Sequence, residues 1–145
     1  MKQQQKENMK FNEYKYEHLD LEKIKKEFSE LIKSFEKAEN VEGQVNAFDE
    51  IIKLRNHIET MQTLVSVRHS IDTNDEFYDK ENEYMDEISP ILFGFTNDFY
   101  KALVNSKFKD ELIQKYGKFS FFLFFPQASA FLLSGITAAK LEVEI

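Results

Sequence analysis

Cysteine is absent from this chain of 145 residues. That excludes a disulfide framework, a thiolate zinc cluster and a cysteine nucleophile, and it fits a reducing, cytoplasmic setting. Glycine and proline are scarce, at 4 and 2 residues. Such thin turn punctuation argues against a turn-rich all-β fold and for long helices. Basic charge is in deficit, with 19 Lys and Arg against 26 Asp and Glu and a formal net charge of −7. A phosphate backbone needs a basic stripe, whereas the lysines here alternate with carboxylates, so no nucleic-acid partner is expected. Residues 1–8 carry charges with no apolar run after them, unlike a secretory signal, and read as a frayed extension.

What is present is mostly helical patterning. Asp20 is placed to cap a first helix, in which Leu21, Ile24, Phe28, Leu31 and Phe35 form an apolar stripe widened by Ile32. The stripe stops at Ala38-Glu39-Asn40, where Asn40 is placed to cap the next helix. So short a connection predicts antiparallel neighbours. The second helix is predicted from Val41 to about Arg68, with Val45, Phe48, Ile51, Ile52, Leu54, Ile58, Met61, Leu64 and Val65 facing the core. Asp72-Thr73-Asn74-Asp75 breaks the pattern and offers several caps. A third stretch carries Phe77, Tyr84, Met85, Ile88, Ile91, Leu92, Phe95, Phe99, Leu103 and Val104, and Pro90 predicts a kink or a fresh start within it. It ends at Asn105-Ser106, and a short helix from Lys109 to Tyr116 stops at Gly117. The expected fold is all-α, a stack of antiparallel long-helix hairpins with an irregular hydrophobic tail.

That tail is set apart by composition. Residues 119–139 contain no charge and include Phe119, Phe121, Phe122, Phe124, Phe125 and Phe131, while 18 of the 19 basic groups lie in residues 1–118. Three readings stay open. A run of 21 residues is long enough to span a bilayer, but Pro126-Gln127 falls mid-run and no basic cluster flanks it, so a tail anchor is disfavoured. The run could instead be a buried core segment. It could also be out-of-frame translation of AT-rich DNA, which yields phenylalanine runs and agrees with the Lys-, Asn-, Ile- and Glu-heavy upstream part.

Catalytic and metal-binding constellations are missing. A zinc-peptidase helix needs two histidines one turn apart with a glutamate after the first. His18, His57 and His69 each lack a histidine four residues on, and His57 and His69 would stand about 18 Å apart along one helix. Asp72, Asn74, Glu76 and Glu83 have a calcium-loop spacing, but Phe77 occupies the position where that loop needs glycine. There is no glycine-rich phosphate loop and no serine in a G-x-S-x-G turn. No catalytic, cofactor-binding or metal-ligating residue is therefore assigned within the chain.

Three segments nevertheless form a pattern: Lys53-Leu54-Arg55-Asn56-His57-Ile58-Glu59-Thr60-Met61, then Ser66-Val67-Arg68-His69-Ser70-Ile71-Asp72-Thr73, then Asp75-Glu76-Phe77-Tyr78-Asp79-Lys80-Glu81-Asn82. Together they resemble the N-terminal region of M3-family oligoendopeptidases, the oligoendopeptidase F type of zinc peptidase. Met9-Lys10-Phe11-Asn12-Glu13-Tyr14-Lys15-Tyr16-Glu17 is similar to that family's start, with Met9 matching the usual first residue. The likeness divides the chain into an extension (1–8), a helical lobe (9–118) and a divergent Phe-rich tail (119–145).

The resemblance implies an almost wholly helical cytoplasmic enzyme whose two lobes enclose a channel for short peptides. It implies zinc on an HExxH helix plus a later glutamate, far beyond the matched region. By that comparison this chain is a truncated N-terminal fragment, inactive alone, whose partners are the missing catalytic lobe and, for the parent enzyme, oligopeptide substrates. Arg55, His57, Arg68 and His69 match family positions, and packing or hydrogen bonding between lobes is their expected role. The alternatives are a free-standing helical interaction module, which could self-associate, and a tail-anchored membrane protein.

Overall fold

A computed structural model describes residues 10–117, which form four α-helices and a short 3-10 turn at Phe11–Glu13. The helices are α1 (Leu21–Lys37), α2 (Val41–Ile71), α3 (Glu76–Val104) and α4 (Lys109–Tyr116). Their starts follow from local side-chain chemistry. Asp20 Oδ1 accepts from the Lys23 N–H at 3.1 Å, and Asn40 Oδ1 from the Gly43 N–H at 2.8 Å. Of the four residues offered between α2 and α3, Asp75 is the cap, accepting from the Phe77 and Tyr78 N–H groups. Each satisfies donors that a helix N-terminus leaves without partners. At the far end Gly117 has φ 82, a conformation that side chains disfavour and glycine adopts freely.

Long-range contacts fix an up-down-up arrangement. The end of α1 meets the start of α2, where the Gln44 side chain donates to the Phe35 carbonyl at 3.1 Å. The segment before α1 meets the far half of α2, where the Glu17 N–H contacts Met61 Sδ at 3.2 Å. α1 and α3 run alongside each other, Phe28 stacking on Phe95 and Phe35 meeting Phe99 edge-on. α4 closes one end, with Tyr116 stacked on Phe48 at 4.4 Å and hydrogen-bonded to Asp49. The apolar core comprises most of the stripe residues together with Leu19, Ala47, Ala102 and Leu112, with Leu21, Leu31, Ile32, Ile52, Tyr84 and Phe95 partly buried against it.

The structure departs from the sequence expectations at three places. α3 runs unbroken through Pro90, so of the two outcomes expected there, a kink or a fresh start, the fresh start does not occur. Pro90 lies on the exposed side of the helix, where the Asp86 carbonyl that loses its donor faces water, and Ser89 Oγ bonds back to the Met85 carbonyl at 2.6 Å. Phe77 and Ile91, expected in the core, are 53% and 39% exposed. α2 continues to Ile71 rather than stopping near Arg68, because Asp72 supplies the closing N–H to the Arg68 carbonyl. The expected extension (1–8) and the tail at 119–145, with its three readings, lie outside the described residues.

Candidate functional site

The most densely connected polar region is where residues 10–19 lie across the α2–α3 turn. Arg68, in the last turns of α2, donates from one guanidinium nitrogen to the Tyr14 carbonyl at 2.6 Å and from another to the Tyr78 hydroxyl at 2.8 Å. The same group sits 6.0 Å from the Phe11 ring and 5.7 Å from the Tyr78 ring. A planar fork serves two acceptors and two π-faces at once, which an ammonium could not.

Glu81, one turn and a half into α3, receives hydrogen bonds from the Tyr16 hydroxyl and from His18 Nδ1, the latter at 2.8 Å. Burial, then the bond to Glu81, pushes the Tyr16 phenol well above its ordinary value of 10.0. The His18 ring stacks on Tyr84 at 4.6 Å, and the Tyr84 hydroxyl donates to the Leu19 carbonyl at 2.7 Å. The N-terminal segment is thereby strapped down by side chains from both α2 and α3. It roofs an open cavity of about 350 Å³ lined by Phe11, Tyr14, Asn56, Glu59, Thr60, Thr63 and Leu64.

A second node lies at the opposite end. Gln44 is buried, donates to the Phe35 carbonyl and accepts from the Ser106 hydroxyl, and Ser106 Oγ in turn receives the Phe108 N–H at 3.0 Å. One amide thus ties the end of α1, the start of α2 and the α3–α4 connection together.

The histidines do not converge. His18 pairs with Glu81, His69 Nε2 lies 3.2 Å from Asp79, and His57 Nε2 is 4.0 Å from Glu17. Among the described residues no group of three or more His, Asp or Glu side chains could hold a metal ion. The acidic stretch from Asp72 to Glu83 forms no twelve-residue calcium loop: only residues 72–75 make the turn, Asp75 caps α3, and Glu76 and Glu83 stand on the helix. Arg55 bonds Glu59 one turn on at 2.7 Å, whereas Arg68 anchors the strap. Sequence reasoning missed Tyr14, Tyr16, Glu81 and Gln44. Gln44 was the traceable one, since it stands one turn before Phe48 on the apolar stripe of α2.

This arrangement defines a class: a helical lobe with polar nodes at its ends and no metal-binding cluster among its described residues. A sequence model of the peptidase M3 N-terminal domain matches residues 11–131, and the chain belongs to that family. The match crosses Lys118 and takes in the first part of the uncharged run.

Solved structures agree. PZ peptidase A, in a structure with inhibitor 2, is similar at 47% identity and a TM-score of 0.74, covering 77% of this chain and 20% of that one. A protein described as oligoendopeptidase F shows 44% identity and a TM-score of 0.74 over 78% of this chain and 20% of its own. Another so described, from Bacillus anthracis str. Ames, shows 37% identity and 0.73 over 76% and 20%. The chain therefore spans about a fifth of the length of these structures and corresponds to the N-terminal region of M3-family oligoendopeptidases. No curated protein gives a significant match. Among the described residues no helix is long and apolar enough to cross a membrane.

Proposed function

We propose that residues 9–118 are the N-terminal helical lobe of a cytoplasmic M3-type oligoendopeptidase, whose parent activity is zinc-dependent hydrolysis of short peptides. The observation that carries this reading is the 47% identity to PZ peptidase A over 77% of the chain, on the same helical fold. The described residues do not fit a zinc site, so the ligands belong to sequence outside them and no chemical step is assigned here. The lobe's part is positional: it forms one wall against which a catalytic lobe closes on an oligopeptide. In this reading the chain alone is inactive.

The test is a chimera. Residues 10–117 replace the matching segment of the Bacillus anthracis oligoendopeptidase F, and cleavage of an internally quenched peptide is followed with and without a zinc chelator. A chimera that cleaves in a chelator-sensitive way, beside an isolated chain that does not cleave, supports the reading. A folded but inactive chimera, or cleavage by the isolated chain, sinks it.

A second reading, the free-standing interaction module, draws on the exposed apolar side chains at the α2–α3 turn: Phe11, Ile71 and Phe77, at 44%, 74% and 53%. Sedimentation of the full chain separates the two. A defined dimer abolished by Phe77→Ser favours the module.

A further inference from the structure

On one side of the bundle, α1, α2 and α3 leave a groove of about 250 Å³ with Phe28, Ile58, Leu92 and Phe93 along its floor and sides. A dry apolar cavity of about 150 Å³ already takes up a benzene ring, so this groove has room for a phenyl side chain. Phe93 is 42% exposed beside it, and Ile91 on the same helix is 39% exposed. The remaining lining includes the uncharged Gln62, Ser89 and Thr96, with the Arg55–Glu59 pair at its edge.

We infer that this groove is the docking site of the chain's own uncharged segment, residues 119–131, seated through phenylalanine rings from 119–125. Three observations select this occupant. First, its chemistry is complementary: residues 119–139 carry no charge, whereas the longest uncharged run elsewhere is 88–97. Burying an unpaired charge in an apolar groove is unfavourable, so the charged stretches of a second copy fit it poorly.

Second, the family match extends to residue 131, which makes the beginning of this run part of the same unit as the helices. Third, the segment reaches. α4 rests against Phe48 and Asp49 of α2, and Ile58 lies about 14 Å further along that helix. The eight residues after Gly117 span up to about 27 Å when extended, so Phe124 and Phe125 reach the groove with slack, whereas Phe121, four residues on, spans only about 14 Å. This inference is independent of the peptidase reading, since it concerns only how the chain covers its own surface.

The absence of cysteine makes the test direct. In the full chain, Phe93→Cys and Asn97→Cys are made separately, Asn97 being exposed on the same helix. Maleimide labelling rates are then compared over a range of protein concentrations, with helicity checked by circular dichroism. The expected result is labelling at Phe93→Cys at least about tenfold slower than at Asn97→Cys, independent of concentration. Changing Phe121, Phe122, Phe124 and Phe125 to Ser should restore fast labelling. Equal rates overturn the inference, and so does protection that vanishes on dilution, which would assign the groove to a second copy. Should the cysteine variant lose helicity, the unsubstituted chain gives the answer by NMR: contacts between phenylalanine rings of 119–125 and the Ile58 or Leu92 methyls support the inference, and their absence overturns it.

Discussion

Arg68 illustrates how one side chain holds a segment that sequence patterning leaves free. Its two nitrogens donate to Tyr14 and Tyr78, so Arg68→Met keeps the aliphatic stem over the aromatic rings but removes both bonds. Charge-assisted hydrogen bonds contribute roughly 1.5–3 kcal/mol when shielded. Arg68 is only partly buried, so the expected loss is about 1–2 kcal/mol. Denaturant unfolding measures that loss, and hydrogen exchange should show residues 11–19 losing protection before the helices do. Arg68→Lys should not restore it, because an ammonium lacks the fork. Unchanged protection in Arg68→Met would show that the strap is held by Glu81 and Tyr84 alone.

Two phenols make a pH prediction at the same scale. Tyr16 and Tyr116 both have pKa values raised from 10.0, each by burial first and then by donation to Glu81 or Asp49. Below pH 10 both phenols are protonated folded or unfolded, and their contribution to stability is complete. Above it the unfolded chain ionises first while the folded one holds its protons, so stability falls as pH rises. The unfolding midpoint should therefore drop steadily above pH 10, and the double variant Tyr16→Phe, Tyr116→Phe should flatten that slope. An identical slope in the variant would assign the alkaline loss to other groups.

Among the elements, α3 carries the clearest conflict between local preference and observed structure. Proline within a helix removes one N–H and crowds the preceding turn, at a cost of about 3 kcal/mol. The helix absorbs this because tertiary contacts fix it on both sides of Pro90: Met85 and Ile88 are buried before it, Leu92 and Phe99 after it. Pro90→Ala restores a donor for the Asp86 carbonyl, so the variant should be more stable by about 1–3 kcal/mol. Thermal unfolding checks this, and a drop in midpoint would mean that the packing of Ile88 and Leu92 depends on a proline-imposed bend.

The same comparison shows which features the sequence carries locally. Asp20 and Asn40 were legible as caps because a cap needs only its own first turn. The strap was illegible because its bonds join residues far apart in sequence, Tyr16 and His18 to Glu81. Phe77 and Ile91 were misplaced for a related reason. Periodicity marks the apolar face of a helix but not how far its neighbours extend over it.

Across the whole molecule, α1, α2 and α3 meet at Phe99. Its ring centroid lies 5.4 Å from Phe35 of α1 and 5.6 Å from Phe48 of α2, and Phe48 in turn stacks on Tyr116 of α4. The ring is 1% exposed. Truncating a buried phenylalanine to alanine costs about 3–5 kcal/mol through lost burial and the cavity left behind, against a total of about 5–15 kcal/mol for an ordinary domain.

Phe99→Ala should therefore unfold much of the chain at room temperature. Phe77→Ala, made at a half-exposed ring at the α2–α3 turn, should shift stability by less than about 1 kcal/mol. Urea titrations of the two variants separate a single shared core from one that is divisible. If Phe99→Ala leaves a cooperative transition of markedly smaller slope, α2 and α3 stand without α1 and α4. If it abolishes the transition, the aromatic junction is what makes four helices one folding unit.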